Sequence, residues 1–294
     1  MRSIDYTVTD YFDGKKVFNF LRGYVKISVR LLRSLKTVPD GIMLNGKQAR
    51  TIDIIRKGDI ITLNIPQDES ASVPIDYPLD VIYEDEDLLI VNKPGTLAMH
   101  ETHNHQGDTL ANAVAGYLAK KNKPATFRAI GRLDKGTSGL VVCALNPHAA
   151  ARLSGKIEKQ YLAVVSGKYT QGGTIDKPIY RPDPMKTYRT ADDRGDRAVT
   201  HYSVIESGES YSLVRVQLET GRTHQIRVHF KYLGTPLYGD RLYFQEHPLI
   251  DHQALHCESL SFIHPVTNEE IHLTVPMPGE MTELLDSLRK STYA

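Results

Sequence analysis

Residues 131–142 read GRLDKGTSGLVV. An arginine and an aspartate flank one leucine, a Gly-Thr-Ser-Gly turn follows, and an apolar run opens at Leu140. A short apolar run behind turn residues predicts a buried strand. Arg132 and Asp134 therefore stand at the lip of a core strand. The simplest reading is a charged loop that caps the strand. The alternative is a site built at the strand's entrance, and the rest of the chain decides between them.

Upstream, LDVIYEDEDLLIVNKPGTL (79–97) predicts two strands around an acidic turn. DTLANAVAGYLAKK (108–121) predicts a helix capped by Asp108, with Leu110, Val114 and Leu118 on one face. Downstream, KQYLAVVSGKY (159–169) and YSLVRVQLETG (211–221) predict strands; in the second, Val214, Val216 and Leu218 alternate with Arg215 and Gln217. THQIRVHFKYLG (223–234) changes to helical period, with Ile226, Phe230 and Leu233 on one face and Gly234 as the stop. ALHCESLSFIHP and EEIHLTVPMP return to strand. Strands dominate and helices intervene irregularly. The expected class is α+β: a large mixed, mainly antiparallel sheet flanked by helices, with a small α/β unit ahead of it.

That small unit is expected over residues 15–65. SVRLLRSLKT (28–37) predicts a short helix capped by Ser28, with Leu31, Leu32 and Leu35 on one arc and Arg30, Arg33 and Lys36 on another. IMLNGKQA (42–49) predicts a hairpin turning at Asn45-Gly46. From Lys15 to Leu63 there are 11 basic and 3 acidic residues, whereas Pro66 to Asp87 holds 8 acidic and no basic ones. The chain as a whole is nearly neutral at +1, so this local asymmetry and not the total points to a polyanion partner. PQDESASVPIDYP predicts a linker over 66–78, and the remainder, 79–290, forms the larger domain.

HETHNH (100–105) invites a metal reading, but His100 and His103 are three apart in a loop and lack the His-Glu-x-x-His helix spacing. GRLDKGTS lacks the Lys-Ser/Thr pair of a phosphate loop, and no Gly-x-Ser-x-Gly elbow is present. His224 and His229 are read as structural. Cys143 and Cys257 sit in apolar contexts without metal or disulfide spacing, as expected in the cytoplasm. No apolar leader and no membrane span are expected. The remaining polar groups at element ends are Asp134, Tyr161 and Arg222, which together could hold an ionised, oriented carboxylate beside an aromatic ring.

GRLDKGTSGLVV, EKQYLAVVSG, ETGRTHQIRVH, TPLYGDRLY and QALHCESLSFIHPVTNEE, in this order, resemble the RluA/RluD family of RNA pseudouridine synthases over residues 79–278. SVRLLRSL, IMLNGK and IRKGDIITL resemble the S-four RNA-binding domain that many such enzymes carry. The resemblance implies that Asp134 is the catalytic aspartate, that Tyr161 stacks on uracil, that Arg222 pairs with Asp134, and that Arg132 holds the space vacated by an everted uridine. It also implies RNA contacts from Lys26, Arg30, Arg33, Lys36 and Lys47. Ribosomal RNA of the large subunit is the expected substrate, with transfer RNA, or a non-catalytic ribosome-assembly role, as alternatives. The reaction is an isomerisation, so no cofactor or metal is expected, and the protein is expected to be a monomer. Gly131 stands where this family commonly has His; the sister family acting on small-subunit ribosomal RNA also shows Gly there.

Overall fold

The computed structural model describes residues 1–292 except 69, 71, 102–105 and 124. The N-terminal unit contains β1 (Arg2–Thr7), α1 (Val17–Gly23), α2 (Val29–Leu35), β2 (Ile42–Leu44), β3 (Lys47–Gln48) and β4 (Ile60–Ile65). Its sheet order is β1-β4-β2-β3, all antiparallel. Phe20, Leu21, Leu32 and Leu35 close one side of it against Ile61, Leu63 and Ile65. Ser28 caps α2 by accepting from the Leu31 amide at 3.1 Å. Asn45 and Gly46, at φ 50° and 77°, form the left-handed hairpin turn that their sequence demands. The unit begins earlier than residue 15: β1 pairs with β4 from Arg2 onward and completes the sheet.

The larger unit contains β5 (Asp80–Glu84), β6 (Leu88–Lys93), α3 (Leu110–Lys120), β7 (Arg128–Ala129), β8 (Ser138–Ala144), α4 (Pro147–Leu153), β9 (Glu158–Ser166), β10 (Gly173–Asp176), β11 (Ile179–Tyr180) and β12 (Thr190–Ala191). It continues with β13 (Val199–Ser207), β14 (Tyr211–Leu218), α5 (Gln225–Tyr232), β15 (Leu255–Ile263), β16 (Glu270–Thr274) and α6 (Gly279–Thr292). Ten strands form one sheet along the path β10-β13-β14-β9-β15-β8-β6-β5, with β16 on β15 and β7 on β8; β11 and β12 make a separate hairpin. Among the strands of the described residues, only β8 and β15 pair in parallel. All seven residues of β8 are buried, which explains the apolar run from Leu140 to Ala144. No helix among the described residues is long and apolar enough to cross a membrane.

Two local expectations change. Thr109, not Asp108, is the N-cap of α3, in a capping box with Asn112. The expected linker packs along α3: the Asn112 side chain donates to the Val73 carbonyl at 2.9 Å, and the Ile75 amide to the Asn112 carbonyl at 3.3 Å. Its acidic residues meet cations, Asp76 pairing with Lys120 and Asp68 with Arg128.

The two units touch through polar groups. Arg2 donates to both oxygens of the buried Asp87, at 3.0 and 2.8 Å, and Asn146 donates to the same carboxylate at 2.7 Å. The Tyr6 hydroxyl meets Nε2 of the buried His148 at 2.9 Å, and burial, then Arg152, holds that imidazole down at about 4. Next to them Asp85, Asp87 and His264 bring metal-capable atoms within 4.8 Å of one another. His264 Nδ1 accepts from the amides of Val266 and Thr267, so its proton sits on Nε2, 2.8 Å from Asp85. Arg2 and Asn146 occupy Asp87 as well, so the polar groups of this cluster are already engaged with one another.

Candidate active site

Asp134 lies in the loop between β7 and β8, and the loop is fastened from three directions. The Thr137 amide donates to the Asp134 carbonyl at 3.0 Å, and the Gly136 amide to the Gly95 carbonyl at 2.9 Å. Gln253, just before β15, donates to the Lys135 carbonyl and to the Thr137 hydroxyl at 3.0 and 2.9 Å. Gly139 then adopts φ 107° against the β15 backbone, where an added Cβ would come within 2.3 Å of the Cys257 carbonyl oxygen. Gly131 is likewise left-handed, at φ 77°, and a Cβ there would sit 3.2 Å from Lys159 Nζ. The glycine that departs from the usual family residue is thus required by this loop's path.

The cleft at the end of this loop is lined by Arg132, Asp134, Tyr161, Arg222, His224 and Arg227, among others. Tyr161 comes from the middle of the sheet, where its β9 position pairs with Val216 on β14 and with Cys257 on β15. Burial pushes its hydroxyl well above the ordinary value, so the phenol stays neutral. Arg132 is exposed, and its Nη2 donates to the Thr223 hydroxyl at 3.1 Å.

The expected pairing of Arg222 with Asp134 is not formed. Arg222 Nε donates to the Arg197 carbonyl at 3.0 Å, and its Nη1 lies 3.7 Å from Asp196. The arginine on Asp134 is Arg227, from α5, with Nη1 3.3 Å from Oδ2. Arg227 is itself held bidentately by the buried Asp240, at 2.7 and 2.8 Å. Burial works against its charge, but the carboxylates outweigh it and raise its pKa. The physical reason is position: Arg222 precedes the helix at the rim, whereas Arg227 sits inside it, with side-chain exposure of 7% against 43%.

His224 also belongs to the site and was read from sequence as structural. It takes φ 59° at the start of α5, and its Nε2 lies 3.9 Å from Asp134 Oδ2. The Tyr243 hydroxyl accepts from the Arg189 amide at 2.9 Å and lies in hydrogen-bond contact with His224 Nδ1 at 2.8 Å. Burial depresses His224 to about 4, leaving the imidazole neutral. Behind the loop, Lys93 is buried, donates to the Pro94 and Leu97 carbonyls, and is pushed down to about 7 by burial against the opposing pull of Asp134. His229 is structural as expected, bonded to Thr200 and to the Lys177 carbonyl. Of the HETHNH stretch, His100 packs on Phe127 at 5.1 Å, and burial and Arg132 lower its pKa; His103 lies outside the described residues.

The cleft therefore offers one partly accessible carboxylate, a paired guanidinium, a neutral imidazole and a neutral phenol ring. Such a set can hold a planar heterocycle on the ring face and present a carboxylate to its attached sugar. On the N-terminal unit, Lys26, Arg30, Arg33, Lys36 and Lys47 are all exposed, and none has a carboxylate within 4 Å among the described residues.

Comparison with known proteins agrees with this chemistry. A sequence model described as RNA pseudouridylate synthase matches residues 87–232. The Bacillus subtilis RNA pseudouridine synthase YjbO is 36% identical over 271 residues, which span 90% of this chain and 96% of that protein. The ribosomal large subunit pseudouridine synthase D of Vibrio cholerae is 36% identical over 275 residues, spanning 84% and 85% of the two. Among solved structures, human RNA pseudouridylate synthase domain containing 4 superposes with a TM-score of 0.57 at 25% identity, covering 71% of this chain and 92% of the other. With the motifs of its loop, central strand and helix converging on one cleft, and with relatives aligned over nearly its full length, this chain belongs to the RluA/RluD family of RNA pseudouridine synthases.

Proposed function

We propose that this protein isomerises specific uridines of large-subunit ribosomal RNA to pseudouridine, with Asp134 as the catalytic carboxylate. The observation that carries the reading is the Asp134–Arg227 contact at 3.3 Å beside Tyr161, in a cleft open at one side. A uridine inside an RNA fold is inaccessible and is first turned out of its stack, which costs a few kcal/mol. Arg132, exposed and without a carboxylate partner among the described residues, takes the vacated space, where a guanidinium can stack on bases and bond phosphate together. The uracil lies on the Tyr161 ring. Asp134, oriented by Arg227, acts at the sugar–base linkage. The C1′–N1 bond breaks, the uracil turns, and a C1′–C5 bond forms; the C5 proton leaves and N1 gains one, so the product is an isomer. Arg222, at the rim of the cleft, contacts the bound nucleotide and not Asp134.

Residues 2–65 serve as an S-four-like RNA-binding domain, with Lys26, Arg30, Arg33, Lys36 and Lys47 facing phosphates. The ribosomal assignment rests on the relatives that carry that substrate in their names, including the Vibrio cholerae protein. Two buried free cysteines suit work on RNA in the cytoplasm.

The test is tritium release from large-subunit ribosomal RNA labelled at uridine C5, comparing wild type with Asp134→Asn. Asn keeps the size and loses the charge. The variant should lose release while keeping RNA affinity. A rate within about tenfold of wild type, some 1.4 kcal/mol of barrier, would remove Asp134 from the chemistry. Release from transfer RNA alone would reassign the substrate.

A further inference from the structure

A second cavity, of about 430 Å³, adjoins the cleft and shares Arg222 with it. Its walls include Tyr180 and Arg181 at the end of β11, Arg189 and Arg194 from the hairpin segment, and Gly221 before α5. Four arginines thus face one space. Two are already matched: Arg194 is bidentate with Asp192 at 2.9 and 2.6 Å and stacks 4.5 Å from the Tyr180 ring, and Arg222 has Asp196 at 3.7 Å. The other two are not matched.

Arg181 and Arg189 have no carboxylate within 4 Å among the described residues. Arg181 spends only Nε, on the Lys186 carbonyl at 3.0 Å. Arg189 spends only Nη1, on the carbonyls of Lys186, Thr187 and Tyr188. Its Nε and Nη2 meet no acceptor among the described residues. Burial, then the neighbouring Arg181, depresses the Arg189 pKa, as an unneutralised guanidinium close by should do. The pair is also tied to the cleft. The Arg189 amide donates to Tyr243, Tyr243 is hydrogen-bonded to His224, and His224 faces Asp134. At Gly221 even an added Cβ would meet nothing within 4 Å, so the rim is open to a passing chain.

We propose that this cavity is a phosphate subsite, in which Arg181 and Arg189 clasp an RNA phosphodiester next to the uridine held in the cleft. The inference rests on the synthase reading, since it is the bound nucleotide that brings a backbone phosphate here. Two free guanidinium edges match phosphate oxygens in a way that lysines would not. The subsite divides the work of holding the nucleotide: the cleft takes the base, and the hairpin takes the backbone. A phosphate clasped there also sets the position of the Tyr243–His224 arm that faces Asp134.

The test uses the full chain in an Asp134→Asn background, so that binding is measured without turnover. The probe is a short uridine-containing single-stranded RNA, read by fluorescence anisotropy at several salt concentrations. Arg181→Ala should weaken binding about tenfold at fixed low salt and should flatten the slope of log affinity against log salt by about 0.7. Lys290→Glu, an exposed reversal on α6, controls for net charge. The same RNA is then made with single methylphosphonates at the positions flanking the uridine. At one position the parent should lose affinity and Arg181→Ala should lose nothing more. A slope unchanged in Arg181→Ala, or no position at which the two losses merge, overturns the subsite. If Arg181→Ala is poorly folded by thermal unfolding, Arg181→Lys replaces it: one point charge instead of a fork should keep most of the slope and lose affinity, and retention of both overturns the inference. Wild-type tritium release is measured in parallel. Absent release with a flattened slope would sink the synthase reading and leave an RNA phosphate site. Normal release with an unchanged slope would sink only the subsite.

Discussion

Arg227 Nη1 stands 3.3 Å from Asp134 Oδ2, while the other edge of the same guanidinium is locked onto Asp240. The carboxylate that faces the cleft is therefore oriented by a cation that cannot move. Arg227→Ala would leave the fully buried Asp240 without its ionic partner, a loss expected to cost about 3–5 kcal/mol. Arg222→Ala, at the exposed rim, should change stability by no more than about 0.5 kcal/mol. Denaturant unfolding of the two variants measures the contrast. Comparable losses would mean that Arg222 holds the fold together as much as Arg227 does.

Lys93 makes folding stability depend on pH. Its folded value is about 7, and an unfolded lysine titrates near about 10.4. Between those limits the unfolded chain holds the extra proton, so this group makes stability rise with pH; below about 7 both states are protonated and the gain is absent. The expected outcome is a steeper positive dependence of unfolding free energy on pH, from 7 to 10, in wild type than in Lys93→Met. Parallel profiles would mean that the amine keeps an ordinary affinity for protons.

Arg2 is the main ionic link between the two units. Arg2→Ala leaves Asp87 with Asn146 as its remaining side-chain partner and should cost about 2 kcal/mol, typical of a hydrogen bond to a charged group. Because the loss lies at a seam, calorimetry should show the N-terminal unit melting earlier and apart from the rest. A single transition shifted as a whole would show that the seam is held by other contacts.

Charge on α2 should govern how binding responds to salt. Reversing Arg30 and Arg33 to Glu leaves Leu31, Leu32 and Leu35 in the core, so the unit should still fold. If both arginines meet phosphates, the slope of log affinity against log salt should flatten by about 1.4 to 1.8 in filter-binding titrations. An unchanged slope would make this face merely solvated.

Strands β5, β6, β8, β9 and β14 to β16 were legible because each carries its own signal, whereas β1, β7 and β10 to β13 went unread. Val214 and Val216 are buried, and Arg215 and Gln217 are exposed, as the period of two requires. The loop of Asp134 was legible too, since a charged pair before a buried strand is a local pattern. Choosing between Arg222 and Arg227 was not local. Both lie in one motif, and what separates them is Asp240, 13 residues after Arg227 and beside it only once Leu237 and Tyr238 have docked on β9. His224 was missed for a similar reason: its left-handed φ and the Tyr243 hydroxyl aim it inward, and neither is written in residue spacing. The stretch after β4 looked like a tether because it is polar, yet its backbone satisfies Asn112 of a helix that comes later in the chain.

The place of β15 has a consequence for how the protein is made. Strands β8 and β9 follow one another in sequence, but β15, which begins more than eighty residues after β9 ends, lies between them. Until that late strand slots in, the two walls that carry Asp134 and Tyr161 have nothing to join them, and Gln253 is not there to fasten the loop. During synthesis the chain emerges N-terminal end first, so the basic unit can fold on the ribosome and meet RNA while the cleft is still in pieces. Long-range insertion of this kind is also slow relative to local pairing. A nascent chain can thus hold RNA before it is able to alter it, and competence arrives as one late event when the last central strand is in place.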